Sequence, residues 1–422
     1  MKSLSVIIKN ILNKYFLNFF FNFFQQILRF GVLYLAAYKF GPYVFGTISI
    51  ILLYNGYLLN SNLGAVNGLK RQIPLKYKQI SKEEINKVCY SILIFNLAST
   101  IFFTFLVCCI LFTLKILTKT NCVYLLSLSI CNSLYFFSQT YIIANQLWKK
   151  LQLLQLLSTF CLIITGLVLW FFNKDFFFIF YSLSFLIPAI VILLKEINIA
   201  GFNFIYIKEN VRIGFPIMIA GLVFFLFQTI DRLVIAKYYT KEVFGIYALA
   251  TTLVSGFSLF TNLASEIILQ KGINYILATR SNSSLRKYYL KITAGATISL
   301  IPILVAAYSF FVIIIKGYFP LYLDTLPIIL NLIIAYWFQQ LCIGFGNYYY
   351  IINAQSWYNT MLLIALIISF CIIGYPYFFK MDDTINILSR RVIFGSIIYS
   401  ILIIAPAFFI KNDAFKDPKL VD

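Results

Sequence analysis

Apolar runs of about twenty residues recur from Tyr15 to Ile410, with only short polar breaks between them. At 1.5 Å per helical residue each run is long enough to cross a hydrocarbon core of roughly 30 Å. The fold class follows: an all-α polytopic membrane protein. Twelve spans are expected, near 15–38, 43–66, 88–114, 122–146, 151–172, 176–194, 213–236, 243–265, 289–315, 325–352, 359–379 and 392–410. The first run is too long for a signal-peptide core and no small-residue cleavage site follows it, so it is expected to be a helix of the mature chain.

Composition agrees: 61% of the residues are hydrophobic and 11% charged, against roughly 45–50% and 25% in soluble domains. The net charge of +20 looks like a nucleic-acid signal until the basic residues are placed. With the N-terminus cytoplasmic, loops assigned to the inside hold 22 of the 34 Lys and Arg, and outside loops hold 10. That bias predicts both termini inside and makes the charge mostly a matter of topology. No soluble segment is long enough to present a basic face, so no nucleic-acid partner is expected.

Several chemistries are excluded early. The chain has no histidine, which removes His-based metal sites and His general bases. Its eight cysteines lie within or at the edges of spans without metal-ligand spacing, so they are expected to be small apolar packing residues, and no metal or cofactor is expected. No GxxxxGK[ST] loop is present to bind ATP.

The chain also repeats itself. YKFGPYVFGTISI (38–50) and YYTKEVFGIYAL (238–249) each join a hydrophobic helix to the next through a polar turn ending Val-Phe-Gly, and Asn62-Leu63 recurs as Asn262-Leu263. Six spans fit between the copies. An even number gives both copies the same direction through the membrane, hence two pseudo-symmetric six-helix lobes about a central cavity. The expected lobes are 1–194 and 213–422, with 195–212 as a cytoplasmic linker.

Polar residues fall on stripes of otherwise apolar helices. Asn18, Asn22, Gln25 and Arg29 share one face of the first span; Ser129, Asn132, Gln139 and Gln146 one face of the fourth; Tyr336, Gln340 and Asn347 one face of the tenth. Asn55 and Asn62 nearly align on the second, and the seventh carries Gln228, Asp231 and Arg232. The striped helices are mainly the first and fourth of each lobe, which predicts a shared polar cleft. Amides can also simply join helices, at about 0.6 kcal/mol each. Charges constrain more, because one at a helix centre costs about 2.5–3.5 kcal/mol on insertion scales. Arg29 is ten residues from Lys39 and so roughly 15 Å deep, near the midplane. Neighbours in sequence diverge by about 100° around a helix, so Asp231 and Arg232 need not pair with each other.

With FGPYVFG after its first helix, GFPIMIAGL opening its second half at Gly214, and DRLVIAKYYTKEVFGIYALA beyond, the chain resembles Wzx-type polysaccharide flippases. These belong to the superfamily of multidrug and toxic-compound exporters and lipid II flippases. The resemblance implies translocation of an undecaprenyl-pyrophosphate-linked oligosaccharide from the cytoplasmic to the periplasmic leaflet. Its expected partners are that substrate, membrane lipids, and a polysaccharide polymerase with its chain-length regulator. Arg29 would then meet the phosphates, and the amides Asn22, Gln25, Asn55, Asn62, Asn132, Gln139, Gln228, Gln340 and Asn347 the sugar hydroxyls, with Asp231 and Arg232 lining the second lobe. Lys70 and Arg71 would gather the head group at entry. Asp231 or Glu266 would bind a coupling proton or sodium ion while the lobes rock between inward- and outward-open states.

Two rivals stand beside this reading. A multidrug exporter of the same fold would favour acidic cavity residues for cationic substrates, whereas the midplane charge here is basic. An O-antigen polymerase, an enzyme, would carry a large periplasmic loop, whereas the longest expected outer loop is about 12 residues, near KMDDTINILSRR. No enzymatic activity is therefore expected.

Overall fold

The computed structural model describes residues 2–75, 81–257, 272, 281–352, 354–378 and 384–409, with side chains from Phe20 onward. Among them the regular elements are helices: α1 (Lys2–Leu58), α2 (Ala65–Leu75), α3 (Lys82–Thr113), α4 (Lys119–Ala144), α5 (Trp148–Phe171), α6 (Lys174–Glu196), α7 (Phe204–Tyr238), α8 (Lys241–Ser255), α9 (Asn282–Tyr318), α10 (Thr325–Gln340), α11 (Ile343–Ile351), α12 (Gln355–Phe378), α13 (Ile385–Ile404) and the short α14 (Pro406–Phe409). Ten are long and apolar enough to cross a membrane. Helices satisfy every backbone polar group internally, which hydrocarbon demands. The chain is an all-α multi-pass membrane protein.

The expected spans map onto these helices as far as they are described; of the eighth, 243–265, the described part is α8, and 258–265 lie outside the described residues. The first and most of the second form α1, which breaks at Gly41 (φ 72°) immediately before Pro42 and ends at Leu58, so that 59–64, expected in the second span, are a turn before α2. Only glycine takes that backbone region without strain, and proline can begin the next helix because its missing N–H has no partner to lose. Polar side chains define other starts: Ser81, Thr118, Thr240 and Ser281 each accept a hydrogen bond from the backbone N–H three residues on, at 3.3–3.4 Å. Each satisfies one of the orphan donors of a helix N-terminus.

Two further segments differ from expectation. Of 195–212, only 197–203 is loop, because α7 begins at Phe204. Lys208, Glu209 and Arg212 give that stretch a loop-like composition, yet Ile207 and Asn210 are buried and fix its inner face. The tenth span is divided at Leu341 and Cys342 between α10 and α11. Asn262-Leu263, Glu266 and the C-terminal tail beyond Phe409 lie outside the described residues.

The chain forms two compact units, Met1–Leu222 and Val223–Asp422. In the first, Ala65, Val66, Leu69 and Ile73 of α2 pack with Val88 and Ile92 of α3 and Phe137 of α4. Here α7 approaches α2 backbone to backbone. A methyl group at Gly64, Gly68 or Gly214 would collide with the main chain of Gly214, Asn210 or Gly64, respectively. The loop before α7 is tied to α3: Asn86 donates to Asn198 O at 2.9 Å and accepts from Asn198 N at 3.1 Å, and Asn203 N donates to Ser91 Oγ at 3.0 Å. In the second unit the core gathers Phe227, Tyr289, Phe345, Tyr348, Tyr349 and Tyr399.

The repeated Val-Phe-Gly turns play equivalent parts, each within its own unit. Phe45 and Phe244 are both fully buried, at 0% and 1% exposure. In each copy the phenyl ring lies in the first turns of the helical segment that follows the turn.

Candidate functional site

In the first unit, α1 carries Gln25 and Arg29 one turn apart. Gln25 is buried, and its amide donates to Tyr135 Oη of α4 at 2.9 Å and to Ser158 Oγ of α5 at 2.6 Å. These bonds hold the Tyr135 ring in place. The Arg29 guanidinium lies 5.7 Å from that ring's centroid and 4.7 Å from the Phe185 ring of α6. Tyr181 packs edge-to-face on Phe185 at 5.4 Å and backs the clamp. Both distances to Arg29 are within the range where an aromatic face attracts a cation.

The clamp leaves hydrogen-bonding capacity unused. Arg29 Nε is buried without a partner, as are Gln155 Oε1 of α5 and Ser182 Oγ of α6. Among the described residues no carboxylate pairs with Arg29; the ion pair found in this unit is Lys150 with Glu196. A guanidinium held by rings keeps its charge and its donors for an anion, since ring faces offer no lone pairs comparable to a carboxylate's.

In the second unit the charge is acidic. Asp231 of α7 is buried; one carboxylate oxygen accepts a short hydrogen bond from Tyr247 Oη of α8 and the other accepts from Arg232 N at 2.8 Å. The Arg232 guanidinium turns back to donate to Gln228 O at 3.2 Å. The adjacent acid and base thus take separate partners, and Arg232 Nε, like Arg29 Nε, is buried without one. Beside Asp231 a cavity of about 20 Å³ is lined by Phe227, Gln228, Gln339 of α10, Ser369 of α12 and Ser396 of α13. It has room for one water molecule. Gln339 donates to Ser396 Oγ at 3.1 Å, and Ser369 Oγ is buried without a partner.

The remaining candidates are scattered within their units. Asn22 and Gln228 are exposed, and Asn132, Gln139 and Asn347 half-buried. Asn55 is buried with an unpartnered Oδ1, and Gln340 is buried. Asn62 spends both ends of its amide on its own turn, donating to Leu59 O and accepting from Gly64 N, each at 3.0 Å. That turn needs left-handed backbone at Leu63 (φ 51°) and Gly64 (φ 83°). Gln146, expected on the α4 stripe, lies beyond the helix end with φ 57° and so leaves the stripe. Lys70 and Arg71 are exposed on α2.

Sequence reasoning missed Tyr135, Tyr181, Phe185 and Tyr247, the aromatic partners of the two charges. It also placed Arg391 in a loop, whereas the residue is inside α13, donating to Ile372 O at 3.2 Å.

Residues 40–319 match the model of a family described as polysaccharide biosynthesis protein. No curated protein sequence matches the chain. Among solved structures it is similar to a multidrug resistance MATE-family transporter of the MOP superfamily in an inward-facing conformation, with a TM-score of 0.73 and 11% identity over 93% of this chain and 96% of that one. It is similar to the lipid II flippase MurJ in an inward closed conformation, with a TM-score of 0.71 and 14% identity over 93% and 87%. A eukaryotic MATE transporter gives a TM-score of 0.67 and 13% identity over 96% and 97%. At these identities the likeness is one of fold, and the fold is that of MOP-superfamily transporters.

Proposed function

Because the chain belongs to the polysaccharide biosynthesis protein family, we propose that it is a flippase, carrying a polyprenyl-pyrophosphate-linked oligosaccharide from the cytoplasmic to the outer leaflet of a bacterial inner membrane. The carrying observation is Arg29, a cation deep in an apolar helix, held by the rings of Phe185 and Tyr135 with a buried Nε that has no partner. A pyrophosphate is the group for which such a guanidinium is suited, through charge-assisted hydrogen bonds. Lys70 and Arg71, exposed on α2, gather the anionic head group from the cytoplasmic side.

In this reading two six-helix lobes, 1–194 and 213–422, joined through 195–212, alternate access to a cleft. Half-buried Asn132, Gln139 and Asn347 supply hydrogen bonds to sugar hydroxyls, and the polyprenyl tail stays in lipid. Asp231 is the coupling group: its carboxylate borders a cavity with room for a water molecule that can exchange a proton with it. Both termini are cytoplasmic, and the protein works beside a polymerase and chain-length regulator without itself catalysing a bond change.

The test is surface polysaccharide output in cells with protein level verified. Arg29→Ala is expected to cut output sharply and Arg29→Lys to retain more of it. Normal output from Arg29→Ala would remove the residue from the mechanism.

A further inference from the structure

Cys108 near the end of α3 and Cys122 near the start of α4 face each other across the hairpin. Cys108 Sγ donates to Cys122 O at 3.5 Å and Cys122 Sγ donates to Cys108 O at 3.8 Å. Reciprocal contacts of each sulfur with the other residue's carbonyl place the two residues side by side across the hairpin, the juxtaposition from which a disulfide forms. No other pair among the eight cysteines makes such reciprocal contacts. Both residues are half-buried, about a turn to a turn and a half from the 114–118 connection.

The end of the bundle on which they sit is defined by hydrogen bonds within the first unit. Lys39, just before the Gly41 break, donates to Leu169 O, Trp170 O and Phe172 O at 2.8–2.9 Å. Tyr124 Oη, two residues after Cys122, donates to Asp175 Oδ1 at 2.7 Å. These contacts bring the break at Gly41, the α3–α4 connection and the α5–α6 connection to one end. The Asn86–Asn198 and Lys150–Glu196 contacts mark the other. With the N-terminus cytoplasmic, as proposed above, the cysteine end faces the oxidising side of the membrane.

We propose that Cys108 and Cys122 form a disulfide that staples the outer ends of α3 and α4. The oxidant is an exchangeable disulfide on the outer side. The thiolate of one cysteine attacks it, forming a mixed disulfide and releasing one thiolate; the second cysteine then attacks the protein sulfur and releases the other. Two electrons and two protons pass from the pair to the oxidant, which ends as two thiols.

The proposal is tested on the full chain in cells quenched with acid, alkylated with N-ethylmaleimide in detergent, then reduced and alkylated with a second, isotopically distinct label before mass mapping. Six of the eight cysteines are expected to carry the first label, and Cys108 and Cys122 the second. Cys122→Ser should move Cys108 to the first label, while Cys109→Ser should change neither member of the pair. First label on both Cys108 and Cys122 would overturn the proposal, and treating membranes with diamide then separates the reasons. Linkage under diamide would place the pair on a reducing side, against the proposed orientation, whereas none would refute the geometry. Either result is independent of whether the cargo is a lipid-linked sugar. Second label on Cys108 in Cys122→Ser would also overturn the pairing.

Discussion

Arg29 in the first unit and Asp231 in the second are both charges placed inside apolar helices, but they are held in different ways. Asp231 is fully provided for: Tyr247 donates to one oxygen and the Arg232 amide to the other. Arg29 is only cradled, with two rings under its guanidinium and its Nε left without a partner. A carboxylate that borders a water-sized cavity is suited to exchanging a proton or small ion with what occupies it. An unsatisfied cation is suited to receiving an anion that comes and goes. Under the proposed function, the charge of the first unit meets the cargo and that of the second the coupling ion.

Substitutions can break or sharpen that contrast. The largest effect is expected from Arg29→Ala, which removes charge-assisted bonds of about 1.5–3 kcal/mol and so weakens transport on the order of ten- to a hundredfold, read as flipping in reconstituted vesicles. Asp231→Asn keeps the shape and an acceptor for Tyr247 but not the charge; transport is expected to lose its response to an imposed proton or sodium gradient while cargo binding stays normal. A gradient response that survives would take Asp231 out of the coupling role. Tyr247→Phe should destabilise the second unit by about 1.5–3 kcal/mol, because a buried carboxylate loses a donor, and thermal unfolding in detergent would register it. Phe185→Leu removes one face of the clamp and should weaken anion affinity by about 0.5–2 kcal/mol without touching coupling. Lys70→Gln with Arg71→Gln, both exposed, should alter stability by no more than about 0.5 kcal/mol and only slow cargo capture at low salt.

Much of the fold was legible because hydrocarbon imposes so strict a rule on length and polarity: among the described residues the expected apolar runs reappear as helices, apart from the turn at 59–64 and the division at 341–342, and the Gly41-Pro42 break falls between the first two. The stripe through Gln25 and Arg29 was legible for a related reason, since polar side chains are rare enough there for their spacing to carry information. The partners of the charges were not. Tyr135, Phe185 and Tyr247 are three among 45 Phe and 30 Tyr, and an aromatic residue in an apolar helix has no spacing that separates a clamp from ordinary packing. Asn62 shows the opposite error. Its position suggested a helical face, but the left-handed backbone at Leu63 and Gly64 makes it a turn residue whose amide is used locally. The start of α7 at Phe204 was hidden by Lys208, Glu209 and Arg212, which read as loop although the helix buries Ile207 and Asn210 beneath them.

The central claim is that Arg29 is the anion anchor. The most direct measurement is binding of a polyprenyl-pyrophosphate-linked sugar, and of the same polyprenyl sugar without phosphate, to the full-length protein in nanodiscs. The account predicts that the wild type prefers the pyrophosphate form by at least about tenfold, a difference of about 1.4 kcal/mol, and that Arg29→Ala abolishes the preference while leaving the phosphate-free ligand unchanged. Equal affinity for both ligands in the wild type, or an undiminished preference in Arg29→Ala, would contradict it.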